Sequence, residues 1–433
     1  MTKNKDVSWL NTSWPDRYAD GFLCWLIPWF LLVDSVNGAL LQSSGTSYGL
    51  AVGYKALILA LMLLSLSQSQ PKAVLLWAGA ALLLLVGPAL SSWQQSTNWL
   101  IADVQLVLKI LSPLLGFYYF LSLRKHQPIA AQRLFYFTFA LSAAVLLINM
   151  LLGISGLGYS AYQPLDNVQQ SFLGIKGYFY STNELSALLL VLTAALLSIT
   201  WPISRWAYAI VSVLAIGMAL LLLTKTGLFG CLLLVSIIPI LFMQATFWRE
   251  KRSILLTAVL LLALLFILVI VNFATLLQAL GMYNKLQFVY QQRGISGILL
   301  SSRDFYAGQI WITVQQHYAD WQSWLGVGQG GVALQLKKYF AELDWFDLFI
   351  FYGVAGVSVF IATFAVFITY SLKHIQLASG RIMLLLTIVL LAVSAVAGHV
   401  MTSGLLWLPW ALCNALLIPS SEQQLRKICE RHS

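Results

Sequence analysis

Hydrophobic residues run along this chain in long blocks, not at the short alternating or three-to-four spacing of a water-soluble fold. About 20 mostly apolar residues suffice for one helix to cross a bilayer. The pattern predicts about twelve such spans, at 21–41, 48–66, 73–91, 99–122, 132–153, 181–200, 203–223, 226–246, 253–277, 345–371, 382–400 and 403–418. The stretch from Ile254 to Phe273 carries no charge, while the last block is short and contains Pro409. The first twenty residues are polar and no small-residue cleavage site follows, which argues against a cleavable signal peptide. The expected organisation is an all-α, polytopic integral membrane protein. A cytoplasmic segment 1–20 precedes nine helices over 21–277, a long outside loop 278–344, three helices over 345–418 and a cytoplasmic tail 419–433.

The long loop has a pattern of its own. Ala307, Ile310, Trp311, Val314, Tyr318 and Trp321 recur at three- and four-residue steps, one face of a helix. This predicts an amphipathic helix over 303–324 lying on the outer membrane surface, with a second helix from Val332 to Leu343. A shorter outside loop runs from Ile154 to Tyr180. No solenoid repeat or low-complexity tract interrupts the series.

Composition agrees with a lipid solvent. The chain is 60% hydrophobic and 9% charged, against about 25% charge in a soluble domain. Disorder is excluded too, because it needs low hydrophobicity and high charge. Cys24, Cys231, Cys413 and Cys429 have no metal-ligand spacing, so neither a zinc site nor a disulfide framework is expected. The formal charge of +10 invites a nucleic-acid reading until the cations are placed. With the N-terminus inside, sixteen of the 25 Lys and Arg residues fall on cytoplasmic segments and seven on outside ones, while Lys55 and Lys109 lie within spans. That asymmetry is the topology signal of a membrane protein, and no nucleic-acid partner is expected. Trp93, Trp99, Trp201, Trp206, Trp248 and Trp345 lie near span ends, as an aromatic belt does.

The cations that break the topological bias are the informative ones. Arg293 and Arg303 stand ten residues apart in the outside loop. Arginine grips phosphate oxygens in a bidentate fork, so the pair reads either as a diphosphate clamp or as interfacial snorkelling. Lys225, in the tight turn Thr224-Lys225-Thr226-Gly227, would add charge to the same anion site. Gly326-Val-Gly328-Gln-Gly-Gly331 matches the dinucleotide fingerprint only formally, since no strand precedes it; a turn between loop helices is the plainer reading. Glu342, Asp344 and Asp347 cluster at the mouth of the tenth span. Asp344 as N-cap with Asp347 three residues on resembles a capping box, and a general base would also need a carboxylate or histidine here. Lys176, Asn183 and Glu184 lead into the sixth span as candidate substrate contacts. His317 in the loop is a further candidate. His399, at the end of the eleventh span, reads like His317 by default as a satisfied structural histidine. Asp34, Lys55, Asp103 and Lys109 are intramembrane, with Asp103 suited to neutralise a lysine of a neighbouring span.

Taken together, these motifs resemble the O-antigen ligase and polymerase superfamily, the Wzy-like bacterial membrane glycosyltransferases. The resemblance rests on Gly177 with Asn183, Thr224-Lys225-Thr226, Ser302-Arg303, Leu325-Gly-Val-Gly328, and the acidic cluster before Tyr352-Gly353-Val-Ala-Gly356, in that order over 174–360. It implies a GT-C-like transferase of the inner membrane, with its site facing the periplasm and no metal or cofactor. The donor would be an oligosaccharide on undecaprenyl diphosphate, and the partners would be the lipid bilayer and a chain-length regulator protein. Arg293, Arg303 and Lys225 would bind the diphosphate, and Glu342, Asp344 or Asp347 would act on the acceptor hydroxyl. Ligases of the superfamily carry a histidine shortly after the Gly-x-Gly turn. This chain has none between Gly326 and Gly356, which turns the expectation towards a polymerase, with a ligase or a lipid-linked oligosaccharide flippase as alternatives.

Overall fold

The computed structural model describes residues 18–46, 48–91, 97–162, 173–243 and 300–418, with scattered positions between 260 and 297. Helix α1 (Tyr18–Leu26) passes through a short turn at Pro28 into α2 (Phe30–Ser44). Then come α3 (Leu50–Ser69), α4 (Pro71–Ser91), α5 (Thr97–His126) and α6 (Pro128–Ile154). A two-stranded hairpin, β1 (Tyr159–Ser160) with β2 (Ile175–Gly177), leads to α7 (Thr182–Ile203), α8 (Arg205–Leu222) and α9 (Lys225–Leu241). The loop carries α10 (Arg303–His317), α11 (Asp320–Leu325) and α12 (Gly328–Ala333), before α13 (Asp344–Lys373), α14 (Ala378–Val396) and α15 (Trp407–Leu416).

Among the described residues, nine helices are long and apolar enough to cross a membrane. The expected span at 253–277 lies outside the described residues except at four scattered positions. Helix α7 is the axis of the bundle: every residue from Leu185 to Ala195 is buried, as befits a helix that is apolar all round. Ser181 caps it by accepting from the Glu184 N–H. The expected twelfth span is not one. Only ten residues of it are helical, about 15 Å of rise, and they are buried within the protein. The preceding residues are held as a turn. Arg124 closes the far end of α15, donating through Nη1 to the carbonyls of Ala415 and Ile418 at 2.7 and 2.6 Å. A cation there satisfies orphan carbonyls and opposes the helix dipole.

The loop also departs from expectation. The helix foreseen over 303–324 breaks at Tyr318, whose hydroxyl donates to Gly331 O at 2.8 Å. Gln322 then restarts the helix by accepting from the Ala319 N–H, half of a capping box. The helix foreseen from Val332 to Leu343 does not form: α12 ends at Ala333, no helix follows over 334–343, and the chain turns at Glu342 with φ +63°. The glycine-rich turn is wedged between two spans. A Cβ on Gly87 of α4 would overlap the Leu325 carbonyl oxygen, and one on Gly353 of α13 would overlap that of Trp324. Gly353 leaves the helical conformation altogether (φ 59°, ψ −147°), a backbone state that suits glycine alone. The Val327 N–H bonds the Ile350 carbonyl at 3.0 Å across this break. Among the described residues Asp103 pairs with no lysine. Instead it accepts from Gln329 N at 2.9 Å and from the Tyr352 hydroxyl at 3.3 Å, pinning the loop into the bundle.

Candidate functional site

Arg303 opens α10 directly after Ser301 and Ser302, both in the left-handed region, and this turn aims its side chain inward. It is buried, with 8% exposure. Nη2 lies 3.1 Å from Glu342 Oε2, while Nε has no hydrogen-bond partner among the described residues. Lys338 Nζ reaches the other oxygen of Glu342 at 3.4 Å and sits 4.0 Å from the centre of the Tyr306 ring. Glu342 thus lies between two cations. Burial pushes its carboxyl up, but the charges of Lys338, His399 and Arg303 outweigh burial and hold it below its ordinary range. Lys225 is exposed and donates to Ser301 Oγ at 3.4 Å, bringing a third cation to the mouth. Tyr162 lies close enough to Arg303 for that charge to oppose the rise that burial gives its phenol.

The three carboxylates separate sharply by their partners. Asp344 is buried and accepts from Ser394 Oγ at 2.6 Å and Thr402 Oγ1 at 3.2 Å, and from the N–H groups of His399, Val400 and Met401 at 2.8, 2.8 and 3.0 Å. It is not the N-cap of α13, where Leu343 stands; it fastens the turn after α14 to the start of α13. Asp347 accepts from Ala341 N and Leu343 N at 2.8 and 3.2 Å, holding the bend at Glu342. Both aspartates are buried and engaged by donors of the protein itself, Asp344 by those five and Asp347 by two backbone N–H groups. Replacing Asp344 with alanine should strand five donors and lower stability by roughly 3 kcal/mol. A depressed thermal midpoint of the purified protein would show this, and an unchanged midpoint would return Asp344 to the list of chemical groups.

His399 joins the site from a distant element. It follows Gly398 in a turn with φ +61°, its N–H bound to Asp344 and its Nδ1 at 3.4 Å from Thr402 Oγ1. The preceding Gly398 packs directly against the Glu342 backbone, and in its protonated form His399 bears on both Glu342 and Glu184. Of the other sequence candidates, Arg293 lies outside the described residues. His317 is exposed at the far end of α10, bonded to Thr313 O, and fourteen residues of helix put it about 21 Å from Arg303. Lys176 donates to Tyr180 O at 2.7 Å, beside the Tyr159 ring. Asn183 lies half-buried in the first turn of α7. Glu184 turns inward, accepting from Ser403 Oγ at 2.6 Å. The cluster is therefore Arg303, Lys338, Lys225, Glu342 and His399, of which Lys338 and His399 were not foreseen. The signal for His399 was there: Gly-His-Val-Met-Thr-Ser-Gly over 398–404 is too polar and too glycine-rich to finish one span and start another.

A multi-pass bundle with a buried arginine and two exposed lysines at one mouth suits several families of lipid-substrate enzymes, and comparison of the whole sequence decides among them. Residues 21–293 match the family described as O-antigen ligase like membrane protein, which is more than half of the chain. The chain belongs to that family. An O-antigen ligase-like protein has a polymerase or ligase role in surface-polysaccharide assembly and a glycosyltransferase-type activity. The family match ends before Arg303, Glu342 and His399, so in this O-antigen ligase-like protein the cluster stands on geometry alone. No curated protein matches the chain.

Proposed function

We propose that this protein is a repeat-unit polymerase of the bacterial inner membrane, its cation cluster facing the periplasm. It transfers a glycan from undecaprenyl diphosphate to a sugar of another lipid-linked repeat unit. The observation that carries the reading is Arg303: a buried guanidinium with Nε unspent, flanked by Lys338 and Lys225 on the side that the charge bias of the chain disfavours for cations. In the reaction the acceptor hydroxyl oxygen bonds to the anomeric carbon, the bond from that carbon to the phosphate oxygen breaks, and undecaprenyl diphosphate leaves. The guanidinium and ammonium groups stabilise the charge developing on the departing phosphate. His399, with its imidazole uncharged before transfer, takes the hydroxyl proton as general base and becomes the cation that faces Glu342 afterwards. Glu342, held low by its cations, is a weak base and serves to aim Arg303 and Lys338.

His399 also keeps a ligase in view, because it restores to the site the imidazole that the loop itself lacks. The glycan profile of a deletion strain separates the two. A core capped by a single repeat unit is the expected result. Long lipid-linked chains with bare core would make the protein a ligase, and an unchanged profile would overturn both readings.

A further inference from the structure

A second polar feature lies deeper in the bundle, away from the Arg303 cluster. Helices α2, α3, α5 and α7 enclose a cavity of about 330 Å³, at the lower end of the range for small-molecule pockets. Four ionisable side chains from four helices line it: Asp34, Lys55, Lys109 and Glu184. Ionisable groups at membrane depth are costly, and a cluster of them facing a cavity points to function. Asp34 and Lys55 satisfy each other, with Nζ 2.6 Å from each carboxylate oxygen. Lys109 and Glu184 do not. Lys109 has no carboxylate within 4 Å among the described residues, yet it is the strongest charge acting on Glu184. Glu184 commits Oε2 to Ser403 and Leu405 N, and Oε1 makes no hydrogen bond among the described residues. An ammonium and a carboxylate oxygen thus face one cavity across a gap wider than an ion pair.

We propose that this cavity binds an uncharged sugar ring, with hydroxyl groups bridging Lys109 and Glu184. A hydroxyl can accept from the ammonium and donate to the carboxylate, which neither water-free contact nor a simple anion achieves. The charges already on the walls sum to zero, so an anionic ligand would bring in an uncompensated charge. The tyrosine and tryptophan rings of Tyr159, Tyr178, Tyr180 and Trp407 supply the apolar faces against which a pyranose packs. Gly404 leaves the floor open below both lysines, its missing Cβ 3.6 Å from Lys109 Cε and 3.8 Å from Lys55 Nζ. The turn that carries His399 links the two sites: Gly398 packs against the backbone of Glu342, and Ser403 and Leu405 of the same segment bond Glu184. On the polymerase reading, on which this assignment rests, the occupant is the acceptor sugar, and His399 stands between it and the donor diphosphate.

The test is saturation-transfer NMR on the purified full chain in nanodiscs. The probes are methyl glycosides of glucose, galactose, mannose, N-acetylglucosamine and N-acetylgalactosamine, with methyl glucuronide as the charged control. At least one neutral glycoside should bind, and the combined variant Lys109→Met, Glu184→Gln should weaken it at least tenfold, while Arg303→Lys leaves it unchanged. Gly404→Ala, whose Cβ fits without overlap, should also weaken it and stands in if the double variant fails to fold. Binding of none of the neutral glycosides, binding of the glucuronide alone, or equal binding to wild type and variants overturns the proposal. Sugar binding with an unchanged deletion-strain profile would keep the pocket and remove the polymerase. A polymerase confirmed in cells with no sugar binding would do the reverse.

Discussion

Cells expressing Arg303→Lys at wild-type level should produce a glycan ladder reduced roughly a hundredfold, the loss expected when one preorganised transition-state donor is removed. Lysine keeps the charge but has no planar fork. It cannot hold Glu342 at 3.1 Å and present a second donor edge to phosphate at once. A group that merely snorkels to lipid headgroups would survive this exchange, because snorkelling needs only a charge on a long stem. Arg303→Ala should abolish the ladder, leaving Glu342 with Lys338 alone. A lysine variant with a full ladder would reduce Arg303 to an anchor and move the anion site to Lys225 and Lys338.

His399→Asn should cost on the order of a thousandfold in transfer rate, within the range for loss of a general base. Asparagine tolerates the left-handed conformation that His399 occupies, so the turn and its bonds to Asp344 survive while the imidazole is gone. His399→Gly serves as the companion variant, since glycine also accepts this backbone and opens room for a small base. Added imidazole should then restore part of the transfer in vesicles loaded with lipid-linked repeats. Wild-type transfer by His399→Asn would remove the histidine from the chemistry. A loss that imidazole cannot rescue, together with a lowered thermal midpoint, would make it structural.

Most of the bundle was legible because a bilayer imposes one length and one composition on each span. The helices from α2 to α8, with α13 and α14, fall where the apolar blocks lie. What escaped was everything decided by contacts between distant segments. The break at Gly353 depends on a loop that packs 25 or more residues upstream in the chain. The block at 403–418 looks like a span until Asp344 is seen holding the turn that precedes it. Arg303 could be picked out by its conflict with the charge bias. Assigning roles among Glu342, Asp344 and Asp347 could not be done from spacing, because all three suit a helix start and only their partners differ. His399 was hidden by being 57 residues beyond Glu342 in the chain.

Gly353 has a bearing on how such proteins acquire new substrates. A broken helix leaves backbone groups bare at a depth where lipid offers no hydrogen bonds, and here the Val327 N–H covers the Ile350 carbonyl. The outer loop is therefore not a detachable cap on a finished scaffold. Grafting it alone from a relative would strand that carbonyl in hydrocarbon and set foreign side chains against Gly87. Exchange between relatives has to move the loop, the first half of α13 and the facing stretch of α4 as one inherited block, whatever sugar the incoming loop was shaped to receive.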